Sequence, residues 1–198
     1  MTEFIPASDI VDDVLNRTGQ ALMNGEFAPF VAHFRLPQQI ETIEGRQYVA
    51  TPEDLRVLFA SVRAFHRRLG INRIVRACIQ AEYKGDDCVE GVFKALFFKG
   101  STLVHSVETT FVVLYRNADI WQVGYNMYGI SDHDAFGAAL MHAPYGRAGR
   151  DGPRGRAFDP ASAGGLSPAR RLRRRSACRQ APFFSSAQPL KDRASWAM

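Results

Sequence analysis

Residues 71–130, INRIVRACIQAEYKGDDCVEGVFKALFFKGSTLVHSVETTFVVLYRNADIWQVGYNMYGI, decide the fold. Apolar residues recur in this stretch with a period near two, the repeat of a β-strand, and three polar clusters interrupt them: KGDD at 84–87, KGST at 99–102 and RNAD at 116–119. Four strands joined by three short turns form an antiparallel meander. If each turn closes a hairpin with four loop residues, Tyr83 pairs with Cys88, Phe98 with Leu103 and Tyr115 with Ile120. One face then carries Val75, Ala77, Ile79, Val92, Leu96, Phe98, Leu103, His105, Val107, Phe111, Val113 and Ile130. The other carries Arg76, Cys78, Gln80, Glu82, Phe93, Phe97, Ser106, Glu108, Thr110, Val112, Trp121, Val123, Tyr125 and Met127. A bulge would shift these assignments by one residue. Neither face has the charge alternation of a wetted sheet, so helices should cover one side and a second subunit the other, as a homodimer through the sheet.

Upstream the period is helical. Ile10, Val14, Leu15, Thr18 and Leu22 mark an amphipathic helix over 8–24, with Ser8 as a possible N-cap and Gly25 beyond its end. FAPFVAHF at 27–34 suggests a short second helix that Pro37 stops, and QQIETI at 38–43 with GRQYV suggests a hairpin turning near Glu44 and Gly45. The strongest start signal follows. Thr51 can cap, Pro52 suits the first helical position, and Glu53 and Asp54 complement the positive end of the dipole of a helix running to Gly70. The expected architecture is thus α+β: a four-stranded meander plus a short hairpin, packed on three helices.

The chain of 198 residues suits one domain over 1–142 and an appendage over 143–198. Its formal charge of +5 is unevenly distributed. Residues 1–142 carry net −4, whereas 143–198 carry net +9, so the folded part has no surplus of positive charge for nucleic acid. The tail is rich in Arg, Ala, Gly and Pro, includes RLRRR at 171–175, and is expected to be disordered. Those residue types have GC-rich codons, and an out-of-frame extension is the favoured reading. The other is a basic arm for nucleic acid or an acidic membrane surface. Cys78, Cys88 and Cys178 lack metal-ligand spacing, and no nucleotide fingerprint or nucleophile elbow is present, so no metal or cofactor is expected. An amino terminus with early acidic residues and no sustained apolar run suggests a cytoplasmic protein.

The order helix, helix, hairpin, helix, meander resembles the nuclear transport factor 2-like superfamily, which includes ketosteroid isomerase, scytalone dehydratase and the SnoaL-type polyketide cyclases. The likeness spans about residues 5–132 and rests on FAPFVAHFRLP, TPEDLRVLF and Trp121 at the start of the last strand. It implies a cone of curved sheet and helices around an apolar pocket, commonly dimeric through the sheet. It also implies that Trp121 and Val123 point inward, so that the face bearing Glu108 lines the pocket.

On that lining, Glu108 lies beside Phe93 and near Arg76, with Gln80 and Tyr125 further along. Desolvation and the arginine would pull its titration in opposite directions, as in a tuned general base, but a structural Arg76–Glu108 ion pair is the first reading. Arg76 could equally anchor an anionic ligand. His105 falls on the more apolar face and is the second catalytic candidate. His33 lies near the cone mouth with Tyr48 and Glu41, where the resemblance places catalytic groups. The isomerase base is an aspartate in the early segment, and LPQQIETI at 36–43 has none, although Glu41 could stand in. The leading functional reading is a small-molecule-binding domain with an apolar cone pocket, open to isomerase, cyclase or dehydratase chemistry. Arg76, Gln80, Tyr125, Trp121, Phe93 and Tyr48 would contact the ligand. The alternative is a noncatalytic dimeric interaction module with a basic tail.

Overall fold

A computed structural model describes residues 4–141. The expectations for 143–198 lie outside the described residues. Helix α1 (Ala7–Asn24) is followed by α2 (Phe27–Ala32), strands β1 (Phe34–Glu41) and β2 (Arg46–Val49), helix α3 (Pro52–Leu69), strands β3 (Arg73–Gly85), β4 (Cys88–Lys99), β5 (Thr102–Asn117) and β6 (Ile120–Tyr128), and helix α4 (Ala135–Met141). The strands form one curved, open sheet in the order β2-β1-β6-β5-β4-β3. The hairpin and the meander are therefore one sheet, joined where β1 runs parallel to β6.

The helix limits follow from local chemistry. Thr51 accepts from the backbone N–H of Asp54, whose carboxylate accepts from the N–H of Thr51, so two orphan donors of α3 are satisfied reciprocally. Gly70 and Gly25 close α3 and α1 in the left-handed conformation. The helix start near Ser8 differs from expectation: α1 begins one residue earlier, after Pro6, and the Ser8 hydroxyl donates to Asp9 instead of capping. Likewise α2 stops at Ala32, and Pro37 sits inside β1. There it falls in the gap between the Phe34–Val123 and Gln39–Tyr125 pairs, where a missing N–H costs no ladder bond.

The core lies between the concave face of the sheet and the helices. Val11, Val14, Leu15 and Leu22 of α1, Leu55, Leu58, Val62 and Phe65 of α3, and Phe136 and Leu140 of α4 meet Phe93, Phe97, Val107, Val112, Leu114 and Val123 of the sheet. Each such side chain contributes roughly 1.5–3 kcal/mol when fully buried. Helix α4 was not anticipated, because seven residues are too few for a readable period. It is tied to the β1–β2 turn: Glu44 accepts from the Ser131 hydroxyl at 2.7 Å and the Asp132 N–H at 2.6 Å, and Ser61 of α3 donates to the carbonyl of Ala139. Among the described residues no helix is long and apolar enough to cross a membrane.

Candidate functional site

The turns are shorter than four residues, and the strands are bulged, so the pairing drifts along the sheet. Phe98 faces Leu103 and Cys78 faces Phe93 as expected, but Tyr83 faces Val89 and Tyr115 faces Gln122. Interruptions occur between Cys78 and Gln80, Tyr83 and Gly85, Phe93 and Ala95, Phe97 and Phe98, and Val113 and Leu114. A bulge adds a residue on one strand and bends it, which is how a long sheet curls around helices. Each also exchanges the faces of the residues beyond it.

The consequences for the candidate residues are specific. Glu108 is exposed, not in the interior: Val107 pairs with Ala95 and Thr110 with Phe93, so both point inward and the two residues between them are pushed out. No Arg76–Glu108 ion pair forms. Gln80 is likewise exposed beyond the β3 bulge. His105 moves the other way, pairing with Phe97 on the inner face. Its ring packs against Phe65, Phe97 and Phe136, and Nε2 lies 3.4 Å from the carboxylate of Asp134. It does not line the cavity described below.

Val123 faces inward as the resemblance implied, but Gly124 is then the unpaired residue of a bulge, since Leu114 pairs with Val123 and Val113 with Tyr125. A methyl group there would come within 2.6 Å of the Tyr115 ring, so the close approach requires glycine. Beyond it Tyr125 and Met127 turn outward, while Asn126 and Tyr128 turn inward. The Tyr125 hydroxyl donates to Glu41 Oε2 at 2.7 Å, and burial, followed by that hydrogen bond, holds its titration above the ordinary phenol range. Tyr48 projects to solvent from β2. Trp121 is partly buried at one end of β6, edge-on to Tyr83, and its carbonyl lies 3.2 Å from Nδ1 of His33, the residue that ends α2.

Arg76 and Phe93 stay on the inner face, where a cavity of about 90 Å³ lies between the sheet and the helices. Aliphatic and aromatic side chains line most of it: Val14, Leu15 and Leu22 from α1, Phe30 from α2, Leu58, Phe59 and Val62 from α3, Phe93, Val112, Leu114 and Val123 from the sheet, and Leu140 from α4. Five polar residues join them: Thr18, Gln38, Arg76, Asn126 and Tyr128. No aspartate, glutamate or histidine is among the lining residues.

The arginine reaches the interior because α1 leaves room for it. Gly19 sits in the middle of that helix, and a methyl group on it would lie 2.3 Å from Arg76 Nη2. Through Nη2 the guanidinium donates to the carbonyl of Leu15 and to the Thr18 hydroxyl, which itself donates to the Val14 carbonyl at 2.7 Å. Burial pushes the Arg76 titration down to about 10, so it remains a cation at neutral pH. Burial pushes the Tyr128 phenol up to about 12, partly offset by the field of Arg76, so it remains a neutral donor. Gln38 is 1% exposed, and its Oε1 has no partner among the described residues. Gln38, Asn126 and Tyr128 escaped the sequence reading. Only Gly124, an isolated glycine in a strand pattern, signalled the exchange that brings in the last two.

No family model and no curated protein matches the sequence. Solved structures do match. A domain of unknown function with a cystatin-like fold from Nostoc punctiforme is 14% identical, covering 65% of this chain and 80% of its own, at a TM-score of 0.51. A nuclear transport factor 2-like protein from Cytophaga hutchinsonii is 13% identical over 64% of this chain and 100% of its own, at 0.49. A ketosteroid isomerase-like protein from Erwinia carotovora atroseptica is 12% identical over 65% and 99%, at 0.48. At these identities the likeness is one of fold.

Proposed function

We propose that this chain, whose fold is that of the nuclear transport factor 2-like superfamily, is a small-molecule-binding protein that takes its ligand into the cavity between the concave sheet and the helices. The observation that supports this is a space of about 90 Å³ within the core, with polar side chains on its wall. Interiors normally pack as densely as organic crystals, and buried polar groups normally find partners. Both rules lapse at the cavity wall, where Gln38 Oε1 has no partner among the described residues, as expected where a ligand completes the packing.

Binding is favoured over acid/base chemistry of the isomerase, cyclase or dehydratase type. The three catalytic candidates, Glu108, His105 and His33, all lie outside the lining, and the ionisable groups within it, Arg76 and Tyr128, both hold their protons at neutral pH. A second copy of the chain is the partner proposed for the outer face, where Val75, Ile79 and Leu103 of β3 and β5 are 38%, 58% and 50% exposed.

Native mass spectrometry of the purified full chain, followed by thermal-shift screening of small apolar compounds, tests the binding reading. A retained molecule or a stabilising compound is expected. Val112→Phe or Leu114→Phe, which fill the cavity, should abolish the effect. Identical behaviour of the wild type and a folded filled variant across the screen would remove the cavity from consideration.

A further inference from the structure

The cavity contains a cation whose counter-charge is missing. Among the described residues no carboxylate lies within 4 Å of the Arg76 guanidinium. Of its five N–H donors only those on Nη2 are used, on Leu15 and Thr18, so Nε and Nη1 have no partner among the described residues. Neither acceptor needs the arginine. The Leu15 carbonyl already lies within the hydrogen-bonded ladder of α1, and the Thr18 hydroxyl already donates into it.

Arg76 is half-buried, and drawing a charge from bulk water to the wall of an apolar cavity is expensive unless an opposite charge and further hydrogen bonds meet it there. A glycine in mid-helix adds to the expense, since it weakens the helix relative to alanine. Arg76 and Gly19 together are therefore a costly arrangement that the folded chain alone does not compensate. Resting on the reading of this cavity as a ligand site, we infer that the ligand is a small monoanion, a carboxylate borne by a short aliphatic chain, with the Arg76 guanidinium as its counter-charge.

Charge and size restrict the class. One cation in an apolar chamber balances one negative charge, which favours a carboxylate over a doubly charged phosphate. The Tyr128 hydroxyl and the Asn126 amide make no hydrogen bond to the described residues, and both can donate to the anion that Arg76 attracts. The remaining lining is aliphatic or aromatic and accepts an apolar body. An apolar cavity of roughly 150 Å³ takes up benzene, so one of about 90 Å³ is too small for a ring and admits only a short chain.

Calorimetric titration of the purified full chain at pH 7.5 with propionate and butyrate, each against its neutral amide, tests the inference. At least one acid should bind about 30-fold more tightly than its amide, the size of a charge-assisted hydrogen-bonded pair. Arg76→Leu should erase that preference, so that acid and amide bind within about 3-fold of each other. Gly19→Ala should also weaken acid binding, because it displaces the guanidinium without removing it, and alanine favours the helix. Amides that bind as well as the acids would overturn the anion inference and leave the cavity reading standing. If acid preference persists unchanged in Arg76→Leu, the role given to Arg76 fails. Failure of all four probes would count against both readings.

Discussion

Two arginines on opposite faces of the same sheet have contrasting surroundings. Arg46, on the outer face, ion-pairs with Glu41, which also accepts from the Tyr125 hydroxyl and the Gln39 amide, so charge and hydrogen bonds close within the chain. Arg76, on the inner face, has a helix carbonyl and a hydroxyl for company and no carboxylate within reach among the described residues. The outer cluster joins β1, β2 and β6 and is complete as architecture. The inner one is incomplete, and that is what marks it as a place for something else. A shifted titration alone would not separate them, because Tyr125 outside and Tyr128 inside are both raised by burial.

The largest test of this contrast uses acid. His66, buried beside the inner cluster, is pushed down to about 4, first by burial and then by the fields of Arg76 and Arg63. In the folded chain it stays neutral until that pH, whereas in the unfolded chain it takes a proton near 6.5. Its contribution is therefore intact above about 6.5 and is lost as pH falls towards 4, on the order of 3 kcal/mol in all. Urea unfolding across that range should show the slope, and His66→Phe should flatten it. Arg76→Leu should shrink it by removing one of the repelling charges; an unchanged slope would mean that the inner charges are uncoupled.

Next in size is Arg76→Leu itself at neutral pH without ligand. Replacing an uncompensated, half-buried ion by an apolar side chain should leave stability unchanged or raise it by up to about 2 kcal/mol. A loss of about 3 kcal/mol in urea unfolding would instead make Arg76 a structural member like Arg46. Tyr125→Phe should cost about 1 kcal/mol by the same assay, since it deprives Glu41 of a donor in the closed outer cluster. The smallest stability effect, within about 0.5 kcal/mol, is expected for Ile79→Glu combined with Leu103→Glu on the exposed outer face. Its readout is mass by light scattering. A dimeric wild type and a monomeric variant support pairing through that face, and a monomeric wild type ends the proposal.

What the sequence made legible was local. Thr51 and Asp54, Gly25 and Gly70, and the three polar turns act within a few residues of themselves, so helix ends and strand divisions are near where their chemistry sets them. Side-chain direction in the meander was not local. It depends on where the sheet must bend to follow α1 and α3, and interruptions of the ladders moved Glu108, Gln80 and Tyr125 outward and His105 inward. Arg76 and Phe93 kept their places because the β3–β4 register from Arg73 to Cys78 runs uninterrupted. Gln38 was hidden for another reason: in a short hairpin strand beside Gln39, nothing in the residues distinguishes the amide that turns in from the one that turns out.

The space above Gly19 links two positions that are far apart in the chain. Any side chain at 19 would occupy the volume that the Arg76 guanidinium fills, whereas an aliphatic residue at 76 would remove the need for a glycine at 19. Among relatives of this chain the two positions should therefore vary as a pair. Glycine with arginine would mark proteins that share its ligand chemistry, and alanine with an aliphatic residue would mark those that have given it up.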